Sequence, residues 1–248
     1  MKTRIFLGIC LLLLVLSGCS TASKISRMST TAKISKGNEY YDAGKFRKAI
    51  PYYEAVVLER KSSETALAQF RLGDCYFQQE EYSEARFEYE EMIRLFPDFD
   101  EIATAYYRIG FCWWELSLSP HYTQDETKQA ITAFQTFMEG FPQHEKKPKA
   151  LEFIRKAQKK LIEKNYWNGY IYYKTWDYSA ALLYLNEVIE LGNHDKLEMK
   201  SLYYAAKVYL YRKDRPNTQA TLNLMKTHFP ESKETRKIER KFSKLKGL

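Results

Sequence analysis

The stretch that decides the fold is GDCYFQQEEYSEARFEY, residues 73–89, which is closed by Phe96-Pro97. Its opening phrase, Gly73-Asp-Cys-Tyr76, has counterparts in Gly37-Asn-Glu-Tyr40 and Gly110-Phe-Cys-Trp113. The three glycines recur at an almost constant interval. A phrase that returns at a fixed period is typical of a repeat architecture, in which each unit buries its apolar face against its neighbours.

Each phrase is followed by a small residue and then by a large apolar one, and two later stretches keep the same order. The members are Phe46, Ala49 and Tyr53; Tyr82, Ala85 and Tyr89; Ala130, Phe134 and Phe141-Pro142; Gly169, Tyr172, Tyr178, Ala181 and Leu185; Ala206, Tyr209, Leu222 and Phe229-Pro230. Small residues are expected where two helices cross closely, and a proline ends each second helix. The order resembles the tetratricopeptide repeat, a helix–turn–helix unit of about 34 residues. We therefore predict an all-α solenoid of about ten helices in five pairs.

In such a solenoid the first helix of each pair lines a concave face. Helical spacing selects the residues expected there, which are Asn38, Tyr41, Asp42, Phe70, Asp74, Phe77, Gln78, Tyr107, Phe111 and Trp114. The repeat signature does not need these aromatic side chains. A groove that is aromatic and carries a few acidic or amide groups suits an extended peptide or a partner helix.

Two departures from the repeat organise the chain. The interval from Trp113 to Ala130 is nearly twice the matching interval of the first two repeats, so eight residues are inserted. Pro120 and its polar neighbours predict a loop between the two helices of repeat three. Residues 144–164 are charged and have apolar residues at helical spacing, which predicts a linker helix. Repeats one to three then occupy 32–143, and repeats four and five occupy 165–248.

The N-terminal pattern is typical of an export signal. Lys2 and Arg4 precede a short apolar run, Ile5–Leu16. A helix that spans a bilayer needs about 20 residues, so this run is too short and fits the core of a signal peptide.

The signal ends in a candidate lipidation site. Leu16-Ser17-Gly18-Cys19 resembles the lipobox of bacterial lipoproteins, which implies that residues 1–18 are removed and that Cys19 is lipidated, with palmitate among its acyl groups. The alternative is an ordinary secretory signal with a chance cysteine. Residues 19–31 are small and polar, which predicts a flexible tether, and Ser20 favours the outer membrane.

The sequence has no arrangement typical of catalysis or metal binding. His121, His144, His194 and His228 are far apart, and there is no phosphate-binding glycine loop, HExxH or nucleophile elbow. We expect no enzyme activity, no metal and no cofactor.

Two cysteines remain for the folded body. Cys75 and Cys112 each lie two residues after a signature glycine and so occupy the same position in adjacent repeats. Equivalent points on packed helices are about 8–10 Å apart, farther than a disulfide allows. We predict that both thiols are buried and reduced.

Charge is concentrated at the C-terminus. Residues 196–248 hold 14 Lys+Arg against 5 Asp+Glu. An exported lipoprotein meets little nucleic acid, so an acidic protein partner, anionic lipid head groups or a solvated helix face are the remaining interpretations. Lys233, Arg236 and Lys237 are the candidate docking residues.

These features together resemble the BamD family, the tetratricopeptide-repeat lipoproteins of the outer-membrane β-barrel assembly machinery. The likeness covers the lipobox, the short tether, the five repeats and the loop in repeat three. Two stretches carry most of it: residues 124–137 with Phe141-Pro142, and residues 161–174 followed by 178–182 and Val188. Repeat five departs from the pattern at two positions: Thr218 stands where alanine is usual, and Pro216 lies near the start of the second helix.

The resemblance implies a non-enzymatic protein on the periplasmic face of the outer membrane, held there by its lipid. It implies binding to the periplasmic domains of BamA and to other subunits, and reception of unfolded β-barrel precursors. The alternative is another tetratricopeptide-repeat envelope lipoprotein, one that scaffolds peptidoglycan or division enzymes. The loop in repeat three and the linker helix argue against that alternative.

Overall fold

The computed structural model describes residues 22–59 and 61–246, which form twelve α-helices and no β-strand. A short helix, α1, covers 22–26. The others are α2 (Thr30–Asp42), α3 (Phe46–Val57), α4 (Ser63–Gln78), α5 (Tyr82–Leu95), α6 (Ile102–Leu116), α7 (Asp125–Gly140), α8 (Lys147–Lys174), α9 (Tyr178–Glu190), α10 (Lys196–Tyr211), α11 (Arg215–His228) and α12 (Lys233–Lys246). The all-α prediction is confirmed.

The helices divide into two compact units. Unit 1 comprises the described residues up to Ser117 together with Lys128–Ile154, and unit 2 comprises Leu118–Thr127 and the described residues from Arg155 onward. Repeats one and two are the pairs α2–α3 and α4–α5, and repeat five is the pair α10–α11.

Each signature glycine is a contact point between the two helices of its repeat. A Cβ added to Gly73 would lie 2.8 Å from the Tyr89 ring, and one added to Gly37 would lie 2.7 Å from the Tyr53 ring. Both tyrosines are fully buried. Close packing leaves no room for an extra methyl group, so the residues that define the period are the residues that set the helix spacing.

Repeat three keeps the same contact across the predicted insertion. A Cβ at Gly110 would lie 2.7 Å from the Phe134 ring. Phe134 corresponds to Tyr89 of repeat two, but eight more residues separate it from the glycine of its repeat. The extra residues lie in the irregular segment 117–124 between α6 and α7.

The inserted segment is ordered by one buried amide. The Gln124 side chain, 6% exposed, donates to the Ser119 carbonyl at 2.8 Å and to the Thr123 carbonyl at 2.9 Å. A buried amide bonded to several carbonyls holds the loop in one conformation.

The N-terminal segment differs from the predicted tether in the part that is described. Residues 22–26 are helical, Ile25 is buried, and the Ser29 side chain caps α2 at the Ala32 N–H. Composition alone suggested a flexible chain, but one apolar residue and one capping serine are enough to order it. Residues 1–18 and Cys19 lie outside the described residues. No helix in the described part is both long and apolar enough to cross a membrane.

The predicted linker helix 144–164 is not a separate element. It forms one long helix, α8, with the first helix of repeat four. The run from Lys149 to Asn168 contains neither proline nor glycine, so nothing ends the helix before repeat four begins.

Unit 2 ends in a helix that the repeat pattern does not include. The apolar side of α12 buries Ile238 and Phe242 in one cluster with Leu202 and Met225. This helix thereby covers the apolar side chains of repeat five.

The two departures noted in repeat five are compatible with its fold. Thr218 replaces the usual alanine, is 1% exposed and bonds the Asp214 carbonyl at 2.6 Å. Pro216 lies in the first turn of α11, where the missing N–H has no helical partner to lose. Both residues therefore fit the repeat.

Candidate functional site

The signature small residue of a repeat is the glycine or alanine of its first helix. The predicted groove positions are the third residue before it and the first, fourth and fifth residues after it. In repeat two these are Phe70, Asp74, Phe77 and Gln78. The structure divides the predicted groove residues of unit 1 into a buried polar cluster, a packed aromatic group and a small accessible remainder.

The polar cluster is centred on Asp74, which is 2% exposed. Its carboxylate accepts hydrogen bonds from the hydroxyls of Tyr41 at 3.0 Å and Tyr89 at 2.7 Å, and it forms an ion pair with Arg108. The Arg108 guanidinium also donates to the Tyr89 hydroxyl at 2.8 Å. Burial lowers the pKa of Arg108 and raises that of Tyr89. The charges of Asp74 and Arg108 thus neutralise each other, and the cluster ties the first helices of repeats one, two and three together.

A second arginine of unit 1 is less fully paired. The Arg71 guanidinium lies 4.4 Å from the centre of the Tyr41 ring. Its Nε is buried and has no hydrogen-bond partner among the described residues. The contact with the ring is weaker than pairing with a carboxylate, so the positive charge of Arg71 is not neutralised by a negative one.

Several predicted groove aromatics are packed into the core. Phe70, 5% exposed, packs on Tyr89 and Phe99 with ring centroids 5.9 and 6.0 Å apart, so it does not lie on an open face as expected. Phe77 packs on Phe111 with ring centroids 5.3 Å apart. Both Phe111 and Trp114 pack on the ring of residue 153. Except for Tyr89, the partner rings lie outside the repeat of the residue they cover, on the turn after α5, on α6 or on α8. Helical spacing within one repeat does not reveal them.

The remaining predicted positions vary in accessibility. Asp42 and Gln78 are exposed. Asn38 accepts a hydrogen bond from the Tyr53 hydroxyl at 2.7 Å, and Tyr107 packs on two phenylalanine rings of α7. The half-buried positions, each of which presents only part of its ring, are Tyr41, Phe77, Phe111 and Trp114.

Unit 2 contains a cleft of about 590 Å³ that sequence reasoning missed. Its lining includes four aromatic residues and three lysines, namely Tyr173, Trp176, Tyr178, Tyr211, Lys174, Lys207 and Lys241. We call it the lysine–aromatic cleft. The signal was available, because most of its members lie at groove positions counted from Gly169 and Ala206, and the groove prediction stopped at repeat three.

The candidate docking residues Lys233, Arg236 and Lys237 lie in the first turns of α12 and are exposed. Arg236 donates to the Glu231 carbonyl at 3.0 Å. The buried side of the helix carries Ile238 instead, so the three basic side chains are accessible to a partner.

The described residues provide little for bond-making chemistry. No group of three or more His, Cys, Asp and Glu residues within them could hold a metal ion. Cys75 and Cys112 are free and buried, as predicted, and burial raises the pKa of each thiol to about 12. A thiol with that pKa is not a nucleophile at neutral pH.

Comparison with known proteins agrees with the repeat pattern. Family models of the tetratricopeptide repeat match residues 34–98 and 104–144. The outer membrane protein assembly factor BamD of Caulobacter vibrioides is 24% identical over 177 residues, which is 71% of this chain. The match spans 58% of that relative, which is less than two thirds of its length.

Among solved structures, the TPR2AB domain of yeast Sti1 in a complex with pHSP90 is 17% identical with a TM-score of 0.44, covering 83% of this chain and 80% of that chain. A TPR repeats protein of Bacteroides fragilis is 12% identical with a TM-score of 0.43, covering 88% of this chain and 98% of that chain. The family models and the sequence relative support a tetratricopeptide-repeat scaffold that binds proteins and has weak similarity to BamD.

Proposed function

We propose that this BamD-like chain is a non-enzymatic lipoprotein on the periplasmic face of the outer membrane, where it serves the β-barrel assembly machinery. In this role it binds the periplasmic domains of BamA and other subunits and receives unfolded β-barrel precursors. The observation that carries the proposal is the similarity to BamD over 177 residues, together with the resemblance of residues 16–19 to a lipobox.

The two units suit different parts of this role. The predicted groove positions of unit 1 include exposed Asp42 and Gln78 and half-buried Trp114, a mixture that suits an extended precursor segment. The basic residues of α12 suit an acidic surface of a folded subunit, because rim charges steer association.

Affinity purification from detergent-solubilised outer membranes tests the proposal. We expect the barrel-forming subunit to be the main partner, and we expect Cys19→Ala to leave the protein out of the membrane fraction when that subunit is absent. Peptidoglycan or division enzymes as the main partners would instead support the other class of envelope lipoprotein. A Cys19→Ala protein that still partitions with membranes by itself would refute the anchor.

The docking residues have their own test. Charge reversal at Lys233, Arg236 or Lys237 should slow association with the partner more than it speeds dissociation, and added salt should also slow association. Lys48→Glu, at an exposed lysine of unit 1, is the matched control and should leave the association rate unchanged. Equal effects of both changes would refute docking through α12.

The groove of unit 1 is best tested at its exposed positions, because substitution of Phe77 or Trp114 also removes packing. Asp42→Lys and Gln78→Glu should change the affinity for barrel-derived peptides without a change in unfolding midpoint. Glu84→Lys on the second helix of repeat two is the control, since Glu84 is exposed and does not lie at a groove position. Peptide affinity that responds to Glu84→Lys as strongly as to the groove changes would count against the groove.

A further inference from the structure

The lysine–aromatic cleft has a charge pattern that points to an anionic occupant. Lys174, Lys207 and Lys241 line it, and none of its lining residues is acidic. Within the part of the chain that the structure describes, none of the three lysines forms an ion pair with a carboxylate. An unneutralised cluster of like charges raises its own energy, and a bound anion lowers it.

The position of Lys207 is held by aromatic rings. Its Nζ lies 4.7 Å from the centre of the Tyr173 ring and 5.5 Å from that of Tyr204. A cation–π contact fixes the ammonium group but leaves most of its charge available, since it is weaker than pairing with a carboxylate. The Lys207 ammonium is thus pre-positioned for a ligand.

The aromatic residues supply an apolar subsite beside these charges. Trp176 is 71% exposed and Tyr211 is 65% exposed. Tyr178 lies between them, with its ring centroid 6.1 Å from that of Trp176 and 4.9 Å from that of Tyr211. Adjacent rings with this much exposure offer large, rigid surfaces for an apolar side chain.

Trp176 also occupies a strained backbone position. Its φ is +68°, in the left-handed region that favours glycine, and the same turn position in repeat one is Gly44. Glu80 and Lys213 adopt the same conformation at this turn position of repeats two and five, so the turn imposes it. What sets repeat four apart is the large exposed ring that Trp176 presents there.

We propose that the lysine–aromatic cleft binds a short peptide segment that carries carboxylates on either side of a large apolar or aromatic side chain. The apolar side chain stacks on Trp176 and Tyr211, and the flanking carboxylates meet Lys207 and Lys241. Charge complementarity selects the carboxylates, and the cleft volume accommodates a few residues. This proposal is independent of the assembly role, because any protein-binding scaffold with this cleft would have the same preference.

The test measures binding of the labelled pentapeptide EEWEE to the full chain by fluorescence anisotropy, with QQWQQ as the matched peptide. We expect EEWEE to bind about tenfold more tightly or better, with an affinity that falls as salt is raised. The double variant Lys207→Gln/Lys241→Gln should reduce that preference to about twofold or less. Equal affinity of the two peptides for the unmodified chain would overturn the proposal.

Trp176→Gly separates binding from folding, because it removes the ring and relieves the backbone strain together. It should weaken EEWEE binding about tenfold while its unfolding midpoint stays equal or rises. Lys213→Gly is the matched control, since Lys213 has a φ of +56° at the same turn position of repeat five and does not line the cleft. It should leave the affinity unchanged, and an equal loss in both variants would overturn the role of Trp176.

Anionic lipid is the competing occupant, and the same variants identify it. Phosphatidylglycerol vesicles should not bind more weakly to Lys207→Gln/Lys241→Gln than to the unmodified chain. Vesicle binding that depends on these lysines, with no peptide binding, would assign the cleft to lipid head groups and overturn the peptide proposal.

Discussion

The first helices of repeats two and five present opposite chemistry from the same register. One residue after the signature small residue, unit 1 has Asp74, which is 2% exposed and paired with Arg108, whereas unit 2 has Lys207 at the open cleft. The aromatic residues of the two faces differ as well, since Phe70 is buried while Tyr211 is 65% exposed. A repeat sets where side chains lie, and their chemistry decides whether a face is closed or remains available.

The largest expected effect lies in the closed face. Asp74→Ala removes the carboxylate that pairs with the partly buried Arg108 and accepts from the Tyr41 and Tyr89 hydroxyls, so we expect a loss of about 3–5 kcal/mol in the free energy of unfolding. Lys207→Met in unit 2 removes only cation–π contacts and should cost about 1 kcal/mol or less. Urea unfolding monitored by circular dichroism measures both, and comparable losses would break the contrast.

Substitution of the signature glycine should destabilise both units to a similar extent, because the glycine has the same repeat position and the same close packing in each. Gly73→Ala forces a Cβ against the Tyr89 ring, and Gly169→Ala forces one to 2.7 Å from Leu185. Each should lower the free energy of unfolding by about 1–3 kcal/mol. Gly140→Ala is the control, because nothing lies within 4 Å of its added Cβ and helix propensity favours alanine. A neutral Gly73→Ala or Gly169→Ala would contradict the common geometry.

The stability of unit 1 should depend on pH through one partly buried acid, Glu88. Burial, with Glu54 nearby, raises the pKa of Glu88 to about 7. Between the ordinary pKa and this raised one the folded state binds more protons than the unfolded state, so stability falls as pH rises towards about 7 and stays lower above it. Glu88→Gln mimics the neutral form of the side chain. The free energy of unfolding of this variant, relative to that of the parent, should therefore be higher at pH 8 than at pH 5. A stability difference between variant and parent that does not change with pH would refute this.

The smallest effects are expected at a turn that both units share. Glu80 in unit 1 has a φ of +62° and Lys213 in unit 2 has a φ of +56°. Replacement of either residue by glycine relieves the left-handed strain but raises the conformational entropy of the unfolded chain. Each replacement should therefore raise the free energy of unfolding by less than about 1 kcal/mol. Gly44→Ala at the equivalent turn meets no clash and strains only the backbone, so it should lower the free energy of unfolding by about 1 kcal/mol. Thermal unfolding midpoints measure all three, and a loss on Glu80→Gly would contradict the strain.

The candidate sites were only partly accessible to sequence reasoning. Spacing placed Asp74 and Phe70 on one helix face, but which face residues are covered depends on the neighbouring repeat. Phe70 meets Phe99 of the turn that follows α5, and Trp114 meets a ring of α8. The lysine–aromatic cleft combines residues of α8, α9, the turn between them, α10 and α12, and α12 has no counterpart in the repeat.

The sequence by itself determined the period, the all-α fold, the position of the insertion and the reduced state of Cys75 and Cys112. These follow from local rules, because small residues at helix crossings and prolines at helix ends act within one repeat. Only the tertiary structure decided that Asp74 pairs with Arg108, that α8 continues through repeat four, and that Trp176 is exposed beside three lysines. Those outcomes depend on contacts between side chains of different helices. Such contacts determine which groups are buried and which charges are paired.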